Sequence, residues 1–211
     1  MSVATESLEL IAPNDPILNG KAQTVVPAEL GSPFIQGVID RMLELSAGKG
    51  QSKRDSRQMV GLAAVQLGVP VRILTIDLTA DGSKKPQTLQ VVINPVLVDV
   101  SATTMPGREG CWSCGNICGN VQRAQSVTLQ GLDRFGRAIS LQLVDFVARI
   151  AQHETDHLEG IRFPDRIPLD QPERLHWVEH DEFDAYRQDW MHWSKLCPRA
   201  RWDELKAGVR P

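Results

Sequence analysis

The chain has 211 residues, enough for one domain with its own core and short for two, so residues 1–211 are read as a single domain. Its 23 Lys and Arg against 26 Asp and Glu leave a net charge of −3, so a basic surface of the kind that wraps nucleic acid is not indicated and no direct readout of nucleic acid is expected. No run of about 18 apolar residues occurs, so no membrane span is expected; acidic Glu6 and Glu9 stand where a secretory leader would be basic, and a cytoplasmic location is expected.

In chain order, residues 33–46 place Phe34, Val38, Met42 and Leu45 at helical spacing, with Pro33 suited to a first turn. Residues 47–58 are polar and basic and read as an exposed loop. Residues 71–78 and 89–94 are short, β-branched and bounded by Gly or Pro, which predicts strands. Segments 126–132 and 137–143 alternate on either side of Asp133 to Gly136 and predict a hairpin. A helix follows over 146–158, with Asp145 as its cap and Gly160 just past its end. A second helix is predicted over about 173–196. On it Phe183, Tyr186, Trp190, Trp193 and Cys197 share a face that docks on the domain, a dimer seam being the alternative. The expected fold class is α+β: small antiparallel sheets around a central helix, with an N-terminal helix and a C-terminal helical extension over about 170–211.

The central helix carries the chemistry. His153, Glu154, Thr155, Asp156 and His157 form H-E-x-x-H. Helical residues turn about 100° each, so His153 and His157 end about 40° apart and can meet one metal ion. Glu154 lies on the flank of that pair, placed to exchange protons with a water whose pKa a metal lowers from about 16 to about 7.

The third ligand decides the family. Phe163 stands where one metalloprotease class continues to H-E-x-x-H-x-x-G-x-x-H, which excludes that class. A downstream Glu173, Glu179 or Glu182 would make a peptidase of another class. The remaining source is the cluster Cys111, Cys114 and Cys118, whose close spacing suits metal or redox chemistry better than disulfides. Cys111 and Cys114 with both histidines could instead close a structural Cys2His2 zinc site, though that leaves Glu154 without purpose. A thioredoxin-like use of C-x-x-C lacks the helix that lowers the thiol pKa. His176, Glu179 and His180 match H-x-x-E-H and read as a coincidence on a polar helix.

Three ordered segments carry a resemblance. Residues 61–66 (GLAAVQ) are similar to G-x-G-φ-A-A-x-Q, 109–113 (EGCWS) to E-G-C-φ-S, and 152–160 (QHETDHLEG) to Q-H-E-x-D-H-L-x-G. Over residues 10–168 the chain resembles the peptide deformylases, which remove the formyl group from N-terminal formylmethionine. The resemblance implies Cys111, His153 and His157 as ligands of one divalent ion, Fe2+ or else Zn2+, Ni2+ or Co2+. Glu154 is implied as acid and base, with Gln66 and the backbone N–H of Trp112 as oxyanion donors. It also implies a substrate cleft beside Val60 and Gly61, with Phe146 and Ile150 for the methionine side chain. Asp156 reads as structural or as orienting a ligand. N-formylmethionyl peptides and nascent chains at the ribosome are the implied partners of a monomer or homodimer. Met59, Trp112, Asp145 and the loop 114–120 depart from the family pattern, and Met59, Trp112 and that loop would border the cleft, leaving room for an unusual formylated substrate. A catalytically dead binding module is a further reading, against which Glu154 and Gln66 stand.

Overall fold

The computed structural model describes residues 5–49, 58–81 and 87–209. The loop expected over 47–58 falls mostly outside them. Helix α1 (Pro33–Ser46) starts where the Ser32 hydroxyl accepts the Ile35 N–H at 3.3 Å, and Pro33 takes the first turn, where its missing N–H costs nothing. Strands β1 (Gly61–Ala63), β2 (Ile73–Asp77), β3 (Leu89–Val98), β6 (Ser126–Leu132) and β7 (Ala138–Val144) form an antiparallel sheet in the order β1-β2-β3-β6-β7. The predicted hairpin is β6 and β7, paired from Ser126↔Val144 to Leu132↔Ala138.

Alternation along the strands places two helices on opposite faces of this sheet. Leu62, Ile73, Val91 and Ile93 point to α1, packing with Ile35, Val38, Ile39 and Met42. Leu74, Ile76, Val92 and Leu129 point the other way, to Ala148, Ile150, Ala151 and Leu158 of α2 (Asp145–Leu158). With both faces covered, β2 is buried at every position, which is why it reads as a continuous apolar run.

Strand β3 runs four residues past the predicted end at Asn94. A bulge between Ile93 and Val96 absorbs the break: Asn94 takes φ 53°, and its amide donates to Val25 O at 2.8 Å and accepts Val25 N–H at 2.9 Å. Asp145 does not cap α2 as expected. It takes φ 52° with its carboxylate accepting from Gln125 Nε2 at 3.2 Å, and the preceding Val144 has no capping side chain.

The second of the expected small antiparallel sheets has three strands, none of which was predicted individually. β4 (Thr104–Gly110) contains Pro106 and two glycines, and β5 (Ile117–Ala124) covers much of what read as a loop at 114–120. The single helix expected over 173–196 is also overturned. Leu175–Trp177 is strand β8, pairing with Ile117–Gly119 of β5, and the helical pieces are α3 (Phe183–Asp189) and α4 (Arg199–Lys206). The free edge of β5 wins Leu175–Trp177 because backbone hydrogen bonds and burial against it outweigh helical periodicity. The aromatic stripe nevertheless docks: Tyr186, Phe183, Trp190 and Trp193 cover Cys118 and Val178, while Cys197 packs on the other face of β5 with Trp202.

Asn94→Ala removes both hydrogen bonds to Val25 and places a side chain intolerant of positive φ at the bulge. It is expected to lower unfolding free energy by about 2–3 kcal/mol in urea denaturation. Asn94→Gly, which keeps the backbone freedom, is expected to lose less.

Candidate metal centre

Helix α2 crosses between the two sheets, and its polar side faces β4 and β5. Across that boundary one buried carboxylate organises the site. Glu109, at the end of β4, accepts from Arg123 Nε and Nη2 at 2.9 and 3.0 Å, from Arg149 Nη1 at 2.8 Å, and lies 2.9 Å from His153 Nδ1. Burial would raise its pKa, but the His153 hydrogen bond and the Arg123 charge outweigh that and hold it far below the usual carboxylate range. Arg123 continues to Asp156 at 2.5 Å, whose other oxygen takes Arg166 Nη2 at 2.5 Å. Arg149 also donates to the carbonyls of Met105 and Val121 at 2.7 and 2.9 Å. Gly107 makes room for it, since a Cβ there would lie 2.6 Å from the guanidinium.

With Nδ1 engaged by Glu109, His153 has Nε2 left to offer toward Cys111 or a metal. His157, one turn later, brings Nε2 to 3.3 Å from Cys111 Sγ. One ligand atom from each of Cys111, His153 and His157 lies within 4.8 Å of the others, and no other such group of three occurs among the described residues. The set of one sulfur and two imidazoles fits a borderline-soft divalent ion. A hydrogen bond from Cys114 and the charge of His157 hold the Cys111 thiol well below its usual pKa against the effect of burial, favouring the ligating thiolate.

Cys114 itself is not in the donor group. It is buried with Ile117, Val121 and Phe163, and burial pushes its pKa well up, which does not favour a closed four-ligand site. Glu179 instead holds Asn116 and Trp177, and Glu182 pairs with Lys195. His176, on strand β8 rather than a helix, spends both ring nitrogens on Tyr186 Oη and Glu173 O, each at 3.0 Å.

Glu154 is buried beside the histidines, and its Oε2 has no hydrogen-bond partner among the described residues. Burial pushes its carboxyl up to about 7, a value suited to exchanging protons near neutral pH. Gly61 leaves it room: a Cβ there would sit 2.4 Å from Glu154 Oε1. Gln66, in the 3-10 turn Ala64–Leu67, accepts Ala63 N–H at 2.9 Å and points Nε2 to Ser113 Oγ at 3.1 Å and Cys111 Sγ at 3.4 Å. Trp112 opens the 3-10 turn Trp112–Cys114, where its N–H has no acceptor within the turn. Its indole is half exposed and donates to Ile11 O at 3.2 Å.

Val60 is exposed, and Met59 is packed against the α1 core. Ile150 is buried in the apolar layer between α2 and the large sheet, with Phe146 half buried beside it. The turn of α2 before His153 therefore offers Arg149, not only apolar groups, on the side of the small sheet. Glu109, Arg123 and Arg149 had no assigned role in the sequence. Only Arg149, between Ala148 and Ile150, carried a signal as a charge in an apolar run; Glu109 and Arg123 each follow a polar residue and gave none.

Glu109→Gln leaves two buried guanidinium groups short of a counter-charge. It is expected to lower stability by about 3 kcal/mol in a denaturant melt, and to weaken metal affinity about 10–100-fold in a chelator competition titration.

Comparison with known proteins agrees with this geometry. The family model for polypeptide deformylase matches residues 7–173. Peptide deformylase of Syntrophomonas wolfei is 36% identical over 167 residues, covering 79% of this chain and 96% of the relative. Chloroplastic/mitochondrial peptide deformylase 1A of Arabidopsis thaliana is 35% identical, covering 75% of this chain, which spans 61% of that relative's length. The Met-Ala-Ser-bound crystal structure of class I type b peptide deformylase from Acinetobacter baumannii superimposes with a TM-score of 0.65 at 30% identity, covering 79% of this chain and 100% of that one. With its ordered motifs folded into one Cys-His-His cluster beside a buried glutamate, the chain belongs to the polypeptide deformylase family of metal-dependent enzymes.

Proposed function

We propose that the chain hydrolyses the formamide of N-formylmethionyl peptides, releasing formate, with Cys111, His153 and His157 holding one divalent ion. The observation that carries this reading is the convergence of those three donors next to the buried Oε2 of Glu154, which has no partner among the described residues. The ion, Fe2+ in this reading with Zn2+, Ni2+ or Co2+ as substitutes, supplies Lewis acidity that makes water ionisable near neutral pH and polarises a carbonyl.

The chain's own residues do the rest. Glu154 takes a proton from the attacking water on Oε2 and returns it to the leaving nitrogen. Gln66 Nε2 and the Trp112 N–H donate to the formyl oxygen as it gains charge. Val60 and Gly61 border the extended substrate backbone, and Phe146 and Ile150 supply apolar surface for its first side chain. Residues 1–211 act as one domain, as a monomer or homodimer, on nascent chains at the ribosome. The cytoplasm is the compartment proposed. No helix among the described residues is long and apolar enough to cross a membrane.

The test is formate release from formyl-Met-Ala by protein purified without oxygen. Glu154→Gln is expected to reduce kcat by about 10³-fold or more while the protein retains metal. Cys111→Ser is expected to lose metal, and Cys114→Ser to keep both metal and activity. A Cys114→Ser protein emptied of metal would support a structural zinc site instead.

A further inference from the structure

Residues 174–209 lie beyond the segment that the family model matches, yet they reach the back of the metal centre. Helix α4 lays Arg199, Trp202 and Lys206 on the turn Phe163–Arg166. Arg199 donates to Pro164 O at 2.7 Å, Trp202 Nε1 to Asp165 Oδ1 at 3.0 Å, and Lys206 to Asp165 Oδ2 at 2.8 Å. Trp202 is fully buried, and its ring covers the Arg162 guanidinium, whose Cζ is 4.4 Å from the ring centroid.

Arg162 is 1% exposed. It donates to Pro13 O and Ser113 O, each at 2.7 Å, and to Asn19 Oδ1 at 2.9 Å, all of them neutral acceptors. Its Nε has no partner among the described residues. A buried cation hydrogen-bonded only to neutral groups is costly, and an aromatic face against it offsets part of that cost. What the charge holds explains its place. Ser113, whose carbonyl it fixes, is fully buried, and its Oγ accepts the Gln66 amide at 3.1 Å, the same Nε2 that lies 3.4 Å from Cys111 Sγ.

We propose that Trp202 and Arg162 are positioning residues for Gln66, so that helix α4 is a working part of the active site. The chain of contact runs from the indole face to the guanidinium, to Ser113 and to the amide that donates to the formyl oxygen; its catalytic consequence rests on the deformylase reading. A plug for the core would need only apolar volume at position 202. A positioning role needs the aromatic face that keeps the guanidinium in place.

The full chain loaded with metal is assayed on formyl-Met-Ala-Ser, and the Gln66 side-chain amide is followed by 15N NMR in metal-free protein. Trp202→Phe, which keeps the ring face, is expected to stay within about threefold of wild-type kcat. Trp202→Leu is expected to lose about tenfold or more in kcat at unchanged KM and to move the Gln66 resonances. Equal kcat losses in both variants, or unmoved Gln66 resonances in Trp202→Leu, overturn the proposal. If Trp202→Leu does not fold, Arg162→Lys, which cannot span both carbonyls, takes its place, and wild-type kcat with unmoved Gln66 resonances overturns it equally. Should the wild type release no formate, the deformylase reading fails, while the Gln66 resonances still decide whether Trp202 positions that amide.

Discussion

The buried carboxylate of Glu109 is the constraint on which the rest of the centre depends. It is shared by Arg123, Arg149 and His153, and so ties together β4, β5 and α2. A carboxylate this deep is tolerable only with its partners in place, because an unpaired charge in the interior costs far more than a mispacked apolar group. That intolerance gives the arrangement its precision. Cys111 follows two residues after Glu109, and His153 is the residue Glu109 orients, so one ion cluster fixes a sulfur from one sheet against a nitrogen from the helix.

Helix α2 divides its duties by face. Ala148, Ile150, Ala151 and Leu158 pack on the large sheet, while Arg149, His153 and Asp156 face the small one. The apolar side holds the helix rigid through burial. The polar side presents His153 from that rigid frame, and side chains on a packed helix would hold a metal's geometry better than side chains on loops. Glu154 lies where the two sides meet, buried enough for its carboxyl to stay partly protonated near neutral pH, and covered by a residue without a side chain, Gly61.

The C-terminal residues complete the small sheet. β8 pairs the edge of β5, α3 and its aromatic neighbours cover the face bearing Cys118, and α4 covers the face bearing Ile117 and Val121. Without partners on both faces, a sheet of three short strands would have little apolar burial to hold it. The same segment ties back to the N-terminal lead-in, where Asn14 and Asn19 donate to the carbonyls of Gly208 and Lys206 at 3.0 Å.

Local pattern was enough for the elements whose stability is mostly local. Helices α1 and α2, strand β2 and the β6–β7 hairpin were legible from periodicity and turn residues, and the spacing of His153 and His157 already placed both imidazoles on one helical face. Ordered motifs supplied Cys111, Glu154 and Gln66. What only the tertiary structure decided were features made by distant partners. Strand β4, with Pro106 and Gly107, exists because β5 pairs with it and Arg149 fills the space beside it. Residues 175–177 became strand because the edge of β5 was open to them. Glu109, Arg123 and Arg162 lie far apart in sequence from most of what they hold, and a buried charge cannot be told from a surface charge until its partners are known.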